Sequence, residues 1–418
     1  MNSQLVSRLA LLILFRFLHL LVLFESDVFA LITRYFDSRK DEDVEVFNIL
    51  ARYRFDETDA TRESDFIIFH ERTTTFDEIC EEGWHIYSIN ERYVYFVQIE
   101  SVDFETNVSV EKCSKLSRKL FEYADKIARI DVEKFEKFAK KCPPFMCHVV
   151  MLHSAPCGGG TVAAKLLQAC DASKLSLLVI GEPPFLTSLS VLSTSLSIEV
   201  MRGLCKASLR YSLIHQKPNQ TIVLKARPCC TKIVPYIHAE CASIQHFFIG
   251  NRNYLDVISR LVTYTSTQIP VFSLVHIFQF IKSYINIVQL CWLLGHSKYL
   301  VDAISSWRLM EEELITKVGP KTDVEFAVGQ VYGSLINYQR NVNYFALDTV
   351  FINDLITDTA SQIRPILNLC AVSDLAIPEC IEWKRSAEEV LKNVWDTVEL
   401  PKEDVRRVHE IVELIEQN

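Results

Sequence analysis

Three consecutive glycines, Gly158, Gly159 and Gly160, follow an apolar run from Cys147 to Leu152 and lead into Thr161–Leu167, a stretch of helix-forming composition. Strand, glycine turn and helix in that order can build an anion cradle. Glycines let the backbone approach a ligand, successive amides point inward, and the helix N-terminus adds partial positive charge. The residues that would line it are Cys157, Gly158, Gly159, Gly160, Thr161 and Val162. This is not a Walker A loop, which ends in Gly-Lys-Ser/Thr; here Gly160 runs directly into Thr161. A tight strand-to-helix turn with no ligand is the alternative for this segment taken alone.

A second segment, His246–Leu261, reads HFFIGNRNYLDVISRL. Its apolar run Phe247–Gly250 has the character of a buried strand. Arg252 follows, and Asp256, Ser259 and Arg260 fall on the helical stretch behind it. Between the two segments lie Leu177–Ile180, ending in Gly181-Glu182-Pro183, and Ile222–Leu224, ending in Lys225.

The order and spacing of these four segments, over roughly residues 147–373, resemble the sulfotransferase family, in particular divergent sulfotransferase-like proteins of invertebrates. The resemblance implies a P-loop-like α/β fold that binds 3′-phosphoadenosine 5′-phosphosulfate. It implies that the glycine loop and Thr161 hold the 5′-phosphosulfate and that Arg252 and Ser259 hold the 3′-phosphate. His153 or Glu182 would take the proton of an acceptor hydroxyl on a glycan, lipid or small molecule.

The chain also departs from that family. Active members carry a Lys or Arg inside the first loop; here Pro156, Cys157 and three glycines stand there, and the nearest cation downstream is Lys165. Ser259 falls one residue early, and no glycine-rich closing loop is recognisable near the C-terminus. Two readings therefore stand side by side. One is a sulfotransferase; the other is a non-catalytic relative that keeps the fold for binding or assembly. A nucleotide kinase is disfavoured, because the Walker Lys and a clear Mg²⁺ carboxylate are both missing.

The elements that would position these residues read as one α/β unit with additions. A mainly parallel central sheet with helices on both faces is expected, from strands near Cys147–Leu152, Leu177–Ile180, Thr221–Lys225, Phe247–Gly250 and Phe345–Phe351. The expected division is a hydrophobic N-terminal helix (1–33), an α+β extension (34–141), the core (142–378) and a helical tail (379–418). Within the extension, a hairpin is expected around Asn90-Glu91 and an amphipathic helix over Val110–Lys141. Val271–Leu294 and Trp307–Ile315 read as further helices.

Residues 4–24 are dominated by Leu and Phe and are just long enough to cross a bilayer. Three arrangements are open: a Golgi-type signal anchor with a lumenal body, a signal peptide cut after Ala30, or an apolar helix docked on the body or lying in the membrane interface. Secreted and cytoplasmic locations are the alternatives to membrane association. Asn107 and Asn219 open glycosylation triplets, which suit a lumenal body. The net charge of −9 offers no basic stripe for nucleic acid. The 13 cysteines are scattered with no CxxC pair, so no zinc site is expected.

Overall fold

The computed structural model describes residues 3–36, 44–54, 60–81, 83–99, 108–171, 176–268, 322–387 and 399–416. The segments 271–294 and 307–315 lie outside them.

Two five-stranded sheets organise the chain. The first holds β1 (Val44–Arg52), β2 (Phe66–Thr74), β3 (Trp84–Ile89), β4 (Tyr93–Gln98) and β5 (Lys126–Asp131) in the order β2-β1-β5-β4-β3, with every pairing antiparallel. β3 and β4 form the hairpin expected around Asn90. The Asn90 side chain accepts from the amides of Arg92 and Tyr93 and closes the turn.

The amphipathic helix expected over Val110–Lys141 is instead two short helices, Leu116–Tyr123 and Val132–Ala139, separated by β5. Ile127, Ala128, Arg129 and Ile130 are all buried, as in a central strand covered on both faces. A spacing of three and four between Leu120, Tyr123 and Ile127 imitates a helix, but strand pairing on both sides overrides it.

The second sheet holds β6 (His148–Ser154), β7 (Leu177–Gly181), β8 (Thr221–Lys225), β9 (Gln245–Gly250) and β10 (Val350–Phe351), ordered β10-β9-β6-β8-β7 and parallel throughout. Side chains alternate between two apolar layers. Val149 and Met151 of β6 face one core, shared with the helices Pro184–Leu192 and Ile198–Ser212 and with the first sheet. Val150 and Leu152 face the other, with helices Gly160–Ala169 and Thr359–Leu369. Burial on both faces explains why these strands read as continuous apolar runs. The fifth strand is shorter than expected. Only Val350–Phe351 pairs along β9, while Phe345 makes an isolated bridge to His246. The intervening residues include Asp348 and Thr349, and Asp is depleted in strands.

The N-terminal segment forms one helix, α1 (Ser3–Phe36). No helix among the described residues is long and apolar enough to cross a membrane. α1 is laid along the first sheet. His19 Nδ1–H donates to the Phe66 carbonyl at 2.7 Å, and Ser26 Oγ accepts from the His70 amide at 2.7 Å. Arg16 pairs with Asp65 at 3.5 Å, and Asp27 with Arg129 at 2.7 Å. Arg16 and His19, costly in hydrocarbon, thus find partners in β2 and the turn before it.

Candidate functional site

The glycine loop occupies the C-terminal end of β6, the middle strand of the parallel sheet. From β6 the chain passes over β8 to β7, returns to β8, and then crosses to β9 on the other side of β6. Strand order therefore reverses around β6, and in open α/β sheets the crevice at such a point is where ligands bind.

Locally, β6 ends at Ser154, and a turn closes when the Gly158 amide donates to the Ala155 carbonyl at 3.0 Å. Helix α2 (Gly160–Ala169) then begins. Gly159, its N-cap, has φ +89°, which L residues rarely adopt, and a Cβ there would overlap Ile352. A Cβ at Gly160 would overlap Ser154. A Cβ at Gly158 would overlap the Ala155 carbonyl, so close packing accounts for all three glycines, while the α2 N-terminus leaves amides without intrahelical partners. Thr161 and Val162, in its first turn, are half-buried, and Val162 packs on the apolar layer.

Cations from other segments lie near the loop. Arg260, Lys225 and Lys115 lie within electrostatic reach of the exposed Cys157. Packing around the Cys157 thiol pushes it up, and these three cations oppose that. Lys225 ends β8, where its buried Nζ is ion-paired with Glu182, and Arg227 stands 3.8 Å from the same carboxylate. Burial alone would raise the Glu182 carboxyl; Lys225, Arg227 and Lys115 together hold it below the usual range. Arg260 belongs to α3 (Tyr254–Gln268), and its Nε donates to the Asp256 carbonyl at 3.0 Å.

Lys115 arrives by a route invisible in local pattern. The Val110 amide donates to Val179 at 2.8 Å along the free edge of β7, and Ser114 then lies so close to Gly181 that a Cβ there would overlap its carbonyl. Lys115, Lys225, Arg227 and Arg260 face Glu182 and Asp256, an excess of two positive charges.

The remaining residues named from sequence are placed differently. Arg252 makes a bidentate pair with Asp354, at 3.1 and 2.6 Å, and its guanidinium lies 4.4 Å over the Phe351 ring. Its side chain is 61% exposed. Ser259 is buried on α3 between Ile258 and Arg260. His153 is fully buried, with Nε2 3.1 Å from His246 Nδ1 and Phe345 against its ring. Burial, then His246, drives its pKa far below the ordinary value. It is neutral and enclosed by the core. Glu182 is ionised but bound between two cations. Among the described residues no cluster of His, Cys, Asp or Glu could hold a metal ion.

No family model matches the chain, and no curated protein does. Among solved structures, the chain is similar to a sulfotransferase domain from the curacin biosynthetic pathway, at 11% identity and a TM-score of 0.26, covering 55% of this chain and 76% of that one.

Proposed function

We propose that this chain binds 3′-phosphoadenosine 5′-phosphosulfate at the loop after β6 and transfers its sulfonate to an acceptor hydroxyl. The observation that carries the reading is the glycine loop with its helix N-terminus at the switch point of a parallel sheet, beside the buried Lys225–Glu182 pair at the ends of β8 and β7. An anionic phosphosulfate suits that donor set: amides from Gly158–Gly160, the Thr161 hydroxyl and a net positive surround. Lys225 takes the part of the cation that the loop sequence lacks. In the transfer, the acceptor oxygen bonds to sulfur and gives up its proton to water as the sulfur–oxygen bond to the 5′-phosphate breaks. The bond's electron pair stays on that phosphate, where fixed positive charge contributes most. The acceptor is a glycan, lipid or small molecule with a free hydroxyl.

A second reading is a binding or assembly protein on the same fold. The placement of both candidate bases favours it, since His153 is enclosed and Glu182 is spent on Lys225 and Arg227. Incubation of the full chain with sulfur-labelled donor and a panel of hydroxyl acceptors separates the two. Label on an acceptor, lost in Lys225→Met, supports transfer. Donor binding without label on any acceptor supports the second reading.

A further inference from the structure

Helix α1 carries its polar groups on the face that docks on the body. There His19, Ser26 and Asp27 bond to the first sheet and Arg16 to Asp65 just before β2, beside the apolar Phe15, Leu23 and Ala30. Its outward positions are larger and apolar. From Ala10 to Phe24 every solvent-exposed residue is apolar, among them Leu11, Ile13, Leu14, Phe17, Leu21 and Phe24. The stripe continues through Val28, Leu31 and Ile32. Together these side chains expose on the order of 1,000 Å², where the largest apolar patch of a typical monomer is about 300–600 Å².

We propose that this stripe is a lipid-binding surface, with α1 lying in the plane of a bilayer and its outer face among the acyl chains. Chemistry favours lipid over a protein partner. Protein interfaces carry about one hydrogen bond per 100–200 Å², yet no exposed side chain between Ala10 and Phe24 can make one. Polar groups return only at the two ends, with Arg8 and Glu25 exposed. The helix is also fixed lengthwise, since its contacts with the sheet and its flank run from the Arg8 carbonyl, bound by Tyr53, to Phe29, packed on Phe69. That is about 32 Å of helix at 1.5 Å per residue. With those contacts in place α1 cannot turn to cross the bilayer. The net charge of −9 gives no attraction to anionic headgroups, so the surface fits neutral phospholipid.

Flotation of the full chain with phosphatidylcholine vesicles tests this. The expected result is that the protein rises with the vesicles and that replacing a third of the lipid with an anionic one gives no increase. The triple variant Leu14→Glu/Leu21→Glu/Phe24→Glu should lower the floated fraction by about tenfold or more. If that variant does not fold, Leu14→Ala/Leu21→Ala/Phe24→Ala should lower it by a smaller factor. Wild-type protein left in the dense fraction overturns the proposal. A monomer there means the chain covers its own stripe, and a dimer means a second copy does. Glutamate variants floating like wild type also overturn it.

Discussion

Lys225 and Glu182, at the C-terminal ends of the neighbouring strands β8 and β7, are ion-paired with side chains only 5% and 11% exposed. The pair ties the strand ends together beside the glycine loop and sets how much of the Lys225 charge a ligand would meet. Glu182→Gln leaves a buried cation without its counter-ion, so stability should fall by about 3 kcal/mol. The freed charge should tighten anion binding severalfold. Chemical denaturation and titration with 3′-phosphoadenosine 5′-phosphate read the two effects separately. Unchanged stability would mean that the pair is not buried in solution. The Glu182 carboxyl is held below its ordinary 4.5, so its contribution is full above that pH and is lost as pH falls through the lower folded value.

Histidines set a higher threshold for acid. His153 lies well below 6.5, His19 at about 4, and His85 and His246 at about 3, with burial the first cause in each. All four are neutral when folded but protonate near 6.5 when unfolded. Stability should be flat above pH 7 and decline below 6.5. The slope is about 1.4 kcal/mol per pH unit for each histidine. Urea midpoints at pH 7.5, 6.5 and 5.5 measure it, and a curve still flat at 5.5 would contradict their burial.

The Arg252–Asp354 pair sits at the exposed rim, bidentate and stacked on Phe351. If Arg252 holds the 3′-phosphate, the nucleotide must compete with Asp354. Asp354→Asn should then strengthen binding severalfold and Arg252→Ala weaken it by about tenfold or more, with thermal stability nearly unchanged because exposed pairs contribute little. Equal affinity in wild type and Arg252→Ala would place the 3′-phosphate elsewhere.

Gly159→Ala tests the loop itself. The φ of +89° and the approach of Ile352 leave no room for a Cβ. The substitution should cost about 2 kcal/mol or more of stability. A Gly159→Ala protein as stable as wild type would mean that the turn differs in solution.

Much of the parallel sheet was legible because a strand buried on both faces must be apolar at every position, as Val149–Leu152 and Ile222–Leu224 are. The glycine loop was legible because its three glycines break an otherwise helix-forming context. β5 was not, since two consecutive faces of a central strand can imitate helical spacing. Of the cations near the loop, Lys225 and Arg260 were visible on their own segments, at a strand end and one helical turn from Asp256. Lys115 was hidden, because it reaches the loop only through the edge contact of Val110 with Val179. That contact leaves no local pattern. His153 stands at a strand end, as a base would, but its neighbours in the core are His246 and Phe345, brought together only by the fold.

The central claim is a nucleotide site formed by the loop after β6 and the cations around Cys157. Calorimetric titration of the full chain with 3′-phosphoadenosine 5′-phosphate tests it most directly. The account predicts one-to-one binding with a Kd of about 10 μM or tighter, weakened by added salt and lost in a Lys225→Met/Arg260→Met protein that remains folded. No binding by wild-type protein at about 1 mM nucleotide, or equal binding by wild type and the double variant, would contradict it.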